Sequence, residues 1–202
     1  MARIRNEDFK PILEIAEIMR GFPAAWFVSG GWAIDLFLGE VTRSHSDIEI
    51  GIYRRDQQLL RAHLRAWSLS KAIACGDDGE WVSWPLGEEL QLPVHQIKAT
   101  RPDGEGREFE IFLNECSERD WISRRHAGVA RRLGEAVMIS AIGIPFLVPE
   151  IQLLFKAKYR RAKDEADFNF AVRRMSGMQK KWLARVLGEH HEGHGWIAAL
   201  DE

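Results

Sequence analysis

The chain has little cysteine, no dominant sign of charge and no long apolar run. Its 202 residues include two cysteines, Cys75 and Cys116. They are too few for a disulfide framework, and their spacing is neither Cys-x-x-Cys nor zinc-like, so two reduced thiols are expected. No apolar stretch approaches the roughly 20 residues of a membrane span. The polar start from Met1 to Asp8 lacks the apolar core of a signal peptide, and a soluble cytoplasmic protein is expected. Lys and Arg total 28 against 30 Asp and Glu, a formal net charge of −2. Bulk charge therefore announces no nucleic-acid surface, although a local basic cleft is compatible with it. Internal repeats and low-complexity segments are absent too. What is present is an ordinary folding composition, 46% hydrophobic and 29% charged. A chain of this length can bury one substantial core, or one α/β unit with a helical appendage.

Hydrophobic spacing orders the elements. Asn6 caps a first helix whose apolar stripe is Phe9, Ile12, Leu13, Ala16 and Met19, stopped by Gly21 and Pro23. A short strand, Trp26 to Val28, runs into Ser29-Gly30-Gly31, and a helix from Trp32 to Leu38 closes at Gly39. Asp47 to Tyr53 reads as the second strand and Arg55 to Trp67 as a helix. Between Leu69 and Ile144 the pattern turns to short strands: Ser70 to Ala74, Trp81 to Trp84, Val94 to Thr100, Glu108 to Leu113 and Ala136 to Ser140. Gly104-Glu105-Gly106 is a plausible turn pairing the third and fourth of these as a hairpin. Pro149 opens a region of two or three helices, including Glu150 to Tyr159 and a segment around Asp164 to Met175.

The stretch from Ser29 to Ile52 carries the chemistry. Asp47 and Glu49, two apart on a strand, point to one side, while Ile48, Ile50 and Ile52 face the core. Backbone N–H groups after Gly30-Gly31 can approach phosphate oxygens without a Cβ in the way. An Asp-x-Glu pair alone is more often just the wet face of a strand. The ordered set is more specific: Gly30-Gly31-Trp32-Ala33-Ile34-Asp35, then Gly39, then Thr42-Arg43-Ser44-His45, then Asp47-Ile48-Glu49-Ile50. In these residues the chain resembles the small nucleotidyltransferases of the DNA polymerase β-like superfamily, in particular those acting on aminoglycosides and lincosamides. Phe109 to Glu115, and Pro149-Glu150-Ile151 through Lys163 to Phe168, look like that group's relatives as well.

The resemblance implies an α/β (α+β) fold, a nucleotidyltransferase-like mixed sheet flanked by helices. It divides into a catalytic domain at 1–144 and a C-terminal helical region at 145–202. It also implies AMP transfer from ATP to a hydroxyl, with two Mg²⁺ ions held by Asp47, Glu49 and Glu110. Glu110 matches the family's third carboxylate, which ligates metal or takes the acceptor's proton. Strand parity by itself leaves Glu108 and Glu110 equivalent. The commoner family pattern is Asp-x-Asp, so Glu49 is a departure, read as a variation.

Other expectations stay two-sided. Ser29 contacts the triphosphate or caps the helix. Arg43 neutralises phosphate or pairs with Glu40, and His45 binds phosphate, orients Asp47 or makes a structural hydrogen bond. Lys156, Lys158, Arg160, Arg161 and Lys163 are dense in charge. On one helix Lys156, Arg160 and Lys163 would share a side and close over phosphates, unless they form a solvated face paired with Asp164, Glu165 and Asp167. Trp81, Trp84 and Trp121 line an acceptor pocket or fill the core. His190, His191 and His194 read as a solvated tail. The leading function is adenylyl transfer to a small hydroxyl-bearing acceptor such as an aminoglycoside or lincosamide. A protein or RNA acceptor and an inactive nucleotide-binding relative are the alternatives, and the near-neutral charge speaks against RNA and leaves oligomeric state open.

Overall fold

The computed structural model describes residues 6–73, 80–101 and 108–201. A 3-10 turn at Asn6–Phe9 leads into α1 (Lys10–Ile18), then β1 (Trp26–Ser29), α2 (Gly30–Leu38), β2 (Glu49–Tyr53) and α3 (Gln57–His63). Strands β3 (Ser68–Ala72), β4 (Trp81–Ser83), β5 (Gln96–Thr100), β6 (Phe109–Cys116), β7 (Asp120–Ile122) and β8 (Ala130–Arg132) follow. The chain continues with α4 (Leu133–Ala136), β9 (Val137–Ile139), β10 (Pro145–Leu147), α5 (Pro149–Lys156), α6 (Ala162–Ala171), α7 (Gly177–His190) and α8 (Trp196–Leu200).

The sheet is mixed and runs β4-β3-β5-β6-β2-β1-β10-β9, with β7 and β8 branching from β6. Parallel pairing joins β2 to β6 and β1 to β10. Because β1 and β2 are antiparallel neighbours, the glycine turn after β1 lies beside the start of β2. The expected pairing of β5 with β6 is present, and the proposed turn at 104–106 lies outside the described residues.

Strand alternation divides the sheet into two buried faces. Ile50, Ile52, Ile111, Leu113 and Val28 pack on α1 and α3 in one cluster. Phe27, Tyr53 and Leu147 pack under α5, α6 and α7 in the other. Each fully buried side chain of this size contributes about 1.5–3 kcal/mol, which fixes β2 in register with its neighbours. A one-residue slip would carry its isoleucines to the opposite face and turn Glu49 into the cluster beneath α1 and α3.

Several elements differ from the sequence reading. The strand after the acidic loop starts at Glu49, so Asp47 precedes it. The expected helix through Tyr159 stops at Lys156, and Arg160 has a positive φ of 48° before α6 begins. Lys156, Arg160 and Lys163 therefore do not share one helical face. The strands β7, β8 and β10 carry too few residues to show a period. Among the described residues no helix is long and apolar enough to cross a membrane. Cys116 is a free thiol, and Cys75 lies outside the described residues.

Candidate active site

One transverse row of the sheet carries the polar side chains. Ser29 is the Cα partner of Glu49, Glu49 of Glu110, and Glu110 of Lys98. Opposed residues on adjacent strands present their side chains to the same face, so this row places Ser29, two carboxylates and a lysine side by side. Asp47, exposed just ahead of β2, joins Glu49 and Glu110 in lining one cleft of about 940 Å³. Glu108 lies outside β6, exposed, with an ion pair to Lys98 at 3.8 Å.

The glycine turn makes room for this row. Gly30 has φ +67°, and a Cβ there would meet Glu49 Oε2 at 2.2 Å. At Gly31 a Cβ would meet Arg43 Nη2 at 2.3 Å and the His45 ring at 2.5 Å. Both glycines thus admit protein side chains against the start of α2. The Gly30 N–H donates to Gln152 Oε1 on α5 at 2.9 Å, so it is already engaged. Ser29 sits at the cap position but makes no capping hydrogen bond. Its Oγ is buried with no partner among the described residues and lines a smaller chamber of about 130 Å³ with Glu49, Gln152 and Lys156. An orphaned buried hydroxyl beside a helix start is a ready donor for an anionic oxygen.

Crowding marks the carboxylates. Burial, then the charge of Asp47, pushes Glu49 up to about 7, against the pull of Lys156 and Lys163. Glu110 is raised as well, chiefly by burial and then by Asp47, although Gln96 Nε2 donates to its Oε2 at 2.8 Å and opposes the shift. Like charges held together out of water favour the protonated form, and a bound cation would reverse this. The donor set is all oxygen, which suits Mg²⁺ rather than softer metals. Among the described residues no group of three or more acidic, imidazole or thiol side chains is placed to hold a metal ion by itself. An Mg²⁺ site that borrows ligands from substrate phosphates needs none.

The remaining residues sort by their contacts. Arg43 forms a two-pronged ion pair with Asp167, Nε–Oδ1 2.8 Å and Nη2–Oδ2 2.9 Å, instead of reaching Glu40. His45 bonds the fully buried Asp35 and lies against the Trp32 ring at 4.4 Å, so it holds a structural hydrogen bond. Lys156 is buried between Asp164 at 3.3 Å and Asp167 at 2.8 Å. Lys158, Arg161 and Lys163 line the large cleft, whereas Arg160 turns to Glu165. Trp81 lines the cleft, but Trp84 and Trp121 are core residues, each with its indole N–H satisfied internally. The terminal histidines are no solvated tail: His191 Nε2 meets His126 Nε2 at 2.9 Å, and His194 bonds the Ala157 carbonyl at 3.2 Å. The offered pairing of the basic cluster with Asp164 and Asp167 is present at Lys156, whereas sequence spacing did not reveal the Arg43–Asp167 pair, Gln152 or His126, contacts that span more than 60 positions.

A family model described as aminoglycoside-2''-adenylyltransferase matches residues 11–75, the span that holds the glycine turn and Asp47-x-Glu49. Among solved structures, ANT(2'')-Ia in complex with adenylyl-2''-tobramycin superposes with a TM-score of 0.57 at 13% identity, over 92% of this chain and 99% of that one. The fold is nucleotidyltransferase-like. A solution structure of ANT(2'')-Ia gives 0.56 at 16% identity over 94% and 99% of the two chains. Lincomycin-bound LnuA, a lincosamide antibiotic adenylyltransferase, gives 0.51 at 17% identity over 84% and 98%. No curated protein matches the chain in sequence. By sequence in residues 11–75 and by fold along most of its length, the chain resembles the aminoglycoside and lincosamide nucleotidyltransferases.

Proposed function

We propose that the chain is a nucleotidyltransferase that moves AMP from ATP to a hydroxyl of a small molecule. The observation that carries this reading is the row Ser29, Glu49, Glu110, with Asp47 beside it, at the end of a glycine turn that opens a helix. Residues 1–144 would be the catalytic region, and 145–202 would supply the helices that back it. Asp47 and Glu49 would hold Mg²⁺, which when bound neutralises charge on the triphosphate and on the departing pyrophosphate, and Glu110 beside them would act mainly on the acceptor.

The chain's own groups supply the rest. Ser29 Oγ binds a phosphate oxygen, and Lys156 and Lys163 add positive charge near Glu49. The acceptor oxygen attacks the α-phosphorus, the new P–O bond forms, the bond to the bridging oxygen breaks, and pyrophosphate leaves. Glu110 takes the hydroxyl proton on the oxygen that Gln96 does not occupy. Its upward shift brings it nearer the range in which a carboxylate serves as a base at neutral pH. Arg43 and His45 act at one remove, bracing the loop that delivers Asp47.

The relatives' ligands, lincomycin and adenylyl-2''-tobramycin, make antibiotic hydroxyls the first acceptors to try. Incubation with ATP, Mg²⁺ and a panel of antibiotics, sugars and RNAs, scored by pyrophosphate release, tests the reading. Acceptor-dependent release that disappears in Asp47→Asn supports it. Tight Mg·ATP binding with no release on any acceptor would favour an inactive relative.

A further inference from the structure

The large cleft and the small chamber share Glu49, and each holds a different half of the site. Asp47 and Glu110 line the cleft and not the chamber, whereas Ser29 and Gln152 line the chamber and not the cleft. Arg124, Arg125, Tyr159 and Arg161 border both cavities and do not tell the two ends apart. The cleft side carries Glu110, the group that acts on the acceptor. In an in-line displacement the attacking and leaving oxygens stand on opposite sides of the phosphorus. The departing pyrophosphate accordingly belongs to the other side of Glu49, in the chamber of about 130 Å³.

Most polar groups of that chamber are already engaged. Asn114 donates from Nδ2 to the Phe112 carbonyl at 3.0 Å and accepts from the Trp121 indole at 3.1 Å. Lys156 is held by Asp164 and Asp167. Ser29 Oγ has no partner among the described residues, and Gln152 is engaged at one end only. A backbone N–H only donates, so the 2.9 Å bond from Gly30 fixes which end of the Gln152 amide is the oxygen. The other end is the amide nitrogen, with two N–H donors and no partner among the described residues. Both side chains belong to residues more than nine-tenths buried, Ser29 at 7% and Gln152 at 5% exposure. Donors withdrawn from bulk water and left without acceptors are costly to keep unless a ligand meets them. Gln152 thus takes up the one N–H that Gly30 would turn to an anion and offers two of its own in exchange.

We propose that Gln152 is a triphosphate-binding residue: held through Oε1 by the Gly30 N–H, it donates from Nε2, beside Ser29 Oγ, to the terminal phosphates that leave as pyrophosphate. This rests on the nucleotidyltransferase reading of the site and assigns the two ends of the reaction to the two cavities.

The test titrates the full chain calorimetrically, in Mg²⁺ at pH 8.5, with α,β-methylene-ATP and separately with pyrophosphate. Gln152→Glu is the deciding variant, because it keeps an acceptor for the Gly30 N–H and replaces the two donors by a carboxylate oxygen. The expected result is a loss of about tenfold or more in affinity for both ligands, with a melting temperature close to that of wild type. Gln152→Met keeps the length of the side chain and has no such donor or acceptor, so it should lose affinity for both ligands and melt lower. It carries the test should the charged variant not fold. A purely structural role predicts instead that Gln152→Glu binds both ligands like wild type, and that outcome would overturn the proposal. A loss confined to α,β-methylene-ATP, with pyrophosphate binding intact, would overturn it too, as would a wild-type chain that binds the analogue but not pyrophosphate. Each of these would leave the nucleotidyltransferase reading standing. Failure of the wild-type chain to bind α,β-methylene-ATP at all would overturn both.

Discussion

Gly30 and Gly31 are adjacent, yet each makes room for a different acidic cluster, and the two clusters are held in opposite ways. The space beside Gly31 is taken by Arg43, which joins Asp167, Lys156 and Asp164 in one network, and by His45, which bonds Asp35. Burial alone would raise Asp167, but its bonds to Arg43 and Lys156 win and hold it below the ordinary range. The space beside Gly30 is taken by Glu49, which has no such partner among the described residues and is driven upward with Glu110. Saturated carboxylates brace a structure, whereas crowded carboxylates short of cations mark a place where a cation or a proton is to be handled. The difference separates the scaffold from the candidate site within one helical turn.

The largest expected effect breaks the crowded cluster. Glu110→Gln should lower turnover by roughly 10²–10⁴-fold while leaving Mg·ATP affinity nearly intact, as for a lost general base. Asp47→Asn should weaken binding and turnover together, since it removes a ligand charge. Calorimetry with α,β-methylene-ATP beside a pyrophosphate assay separates the two. Equal loss of nucleotide binding in both variants would make Glu110 chiefly a metal ligand.

Breaking the saturated cluster should cost stability instead. Asp167→Ala leaves Arg43 and the buried Lys156 without their shared partner. Removal of one member of a buried pair typically costs about 3–5 kcal/mol, which urea denaturation would read. The protein that remains folded should keep its nucleotide affinity within a few-fold. A selective loss of binding with unchanged stability would move Asp167 from scaffold to site.

The glycines themselves sharpen the contrast. Gly30→Ala puts a methyl group where the Glu49 carboxylate lies and forces a non-glycine residue to φ +67°. The backbone strain is about 1–2 kcal/mol, and Mg·ATP affinity should fall at least tenfold as Glu49 is displaced. Gly31→Ala presses on Arg43 and His45 instead, so melting temperature should drop with a smaller effect on binding. Matching profiles for the two variants would dissolve the distinction drawn here.

Sequence spacing made the local half of this comparison legible. Asp47-x-Glu49, the glycine pair, the alternation of Ile50 and Ile52, and the β5–β6 pairing all depend on neighbours in the chain, and the isoleucines and the pairing are where the pattern put them. Parity left Glu108 and Glu110 equivalent. Strand register distinguishes them, since only Glu110 lies opposite Glu49 within β6. The saturated half was legible only in part: the pairing of Lys156 with Asp164 and Asp167 was open to a local reading, but Arg43 meets Asp167 across 124 positions and no periodicity encodes that. Charge density at Lys156 to Lys163 suggested one basic helical face, but the break at Arg160 sends Lys156 inward and Lys163 to the cleft. Tryptophan is large enough to serve as core or as platform, and only packing assigns Trp84 and Trp121 to the core.

The smallest effect concerns pH in protein stripped of divalent ions. Glu49 has a folded pKa of about 7 against an ordinary value of 4.5, so between these values the folded state binds more protons than the unfolded state. Stability should therefore fall as pH rises through that window and level off above it. His126 works the other way: burial, then His191 and His190, push it down to about 4 from 6.5. Its contribution is complete above pH 6.5 and is lost as pH falls toward 4. The two slopes oppose each other in the wild-type chain, and a simple melting curve against pH would blur them. Glu49→Gln keeps His126 unchanged, so the difference between variant and wild type isolates the carboxylate. With chelator present, the variant should gain about 1–3 kcal/mol over wild type between pH 4.5 and 7, after allowance for partial solvent access. Added Mg²⁺ should reverse the sign, because wild type alone gains the ion's full binding energy. A difference that stays flat across the window would mean that Glu49 finds a partner in solution and belongs with the saturated cluster after all.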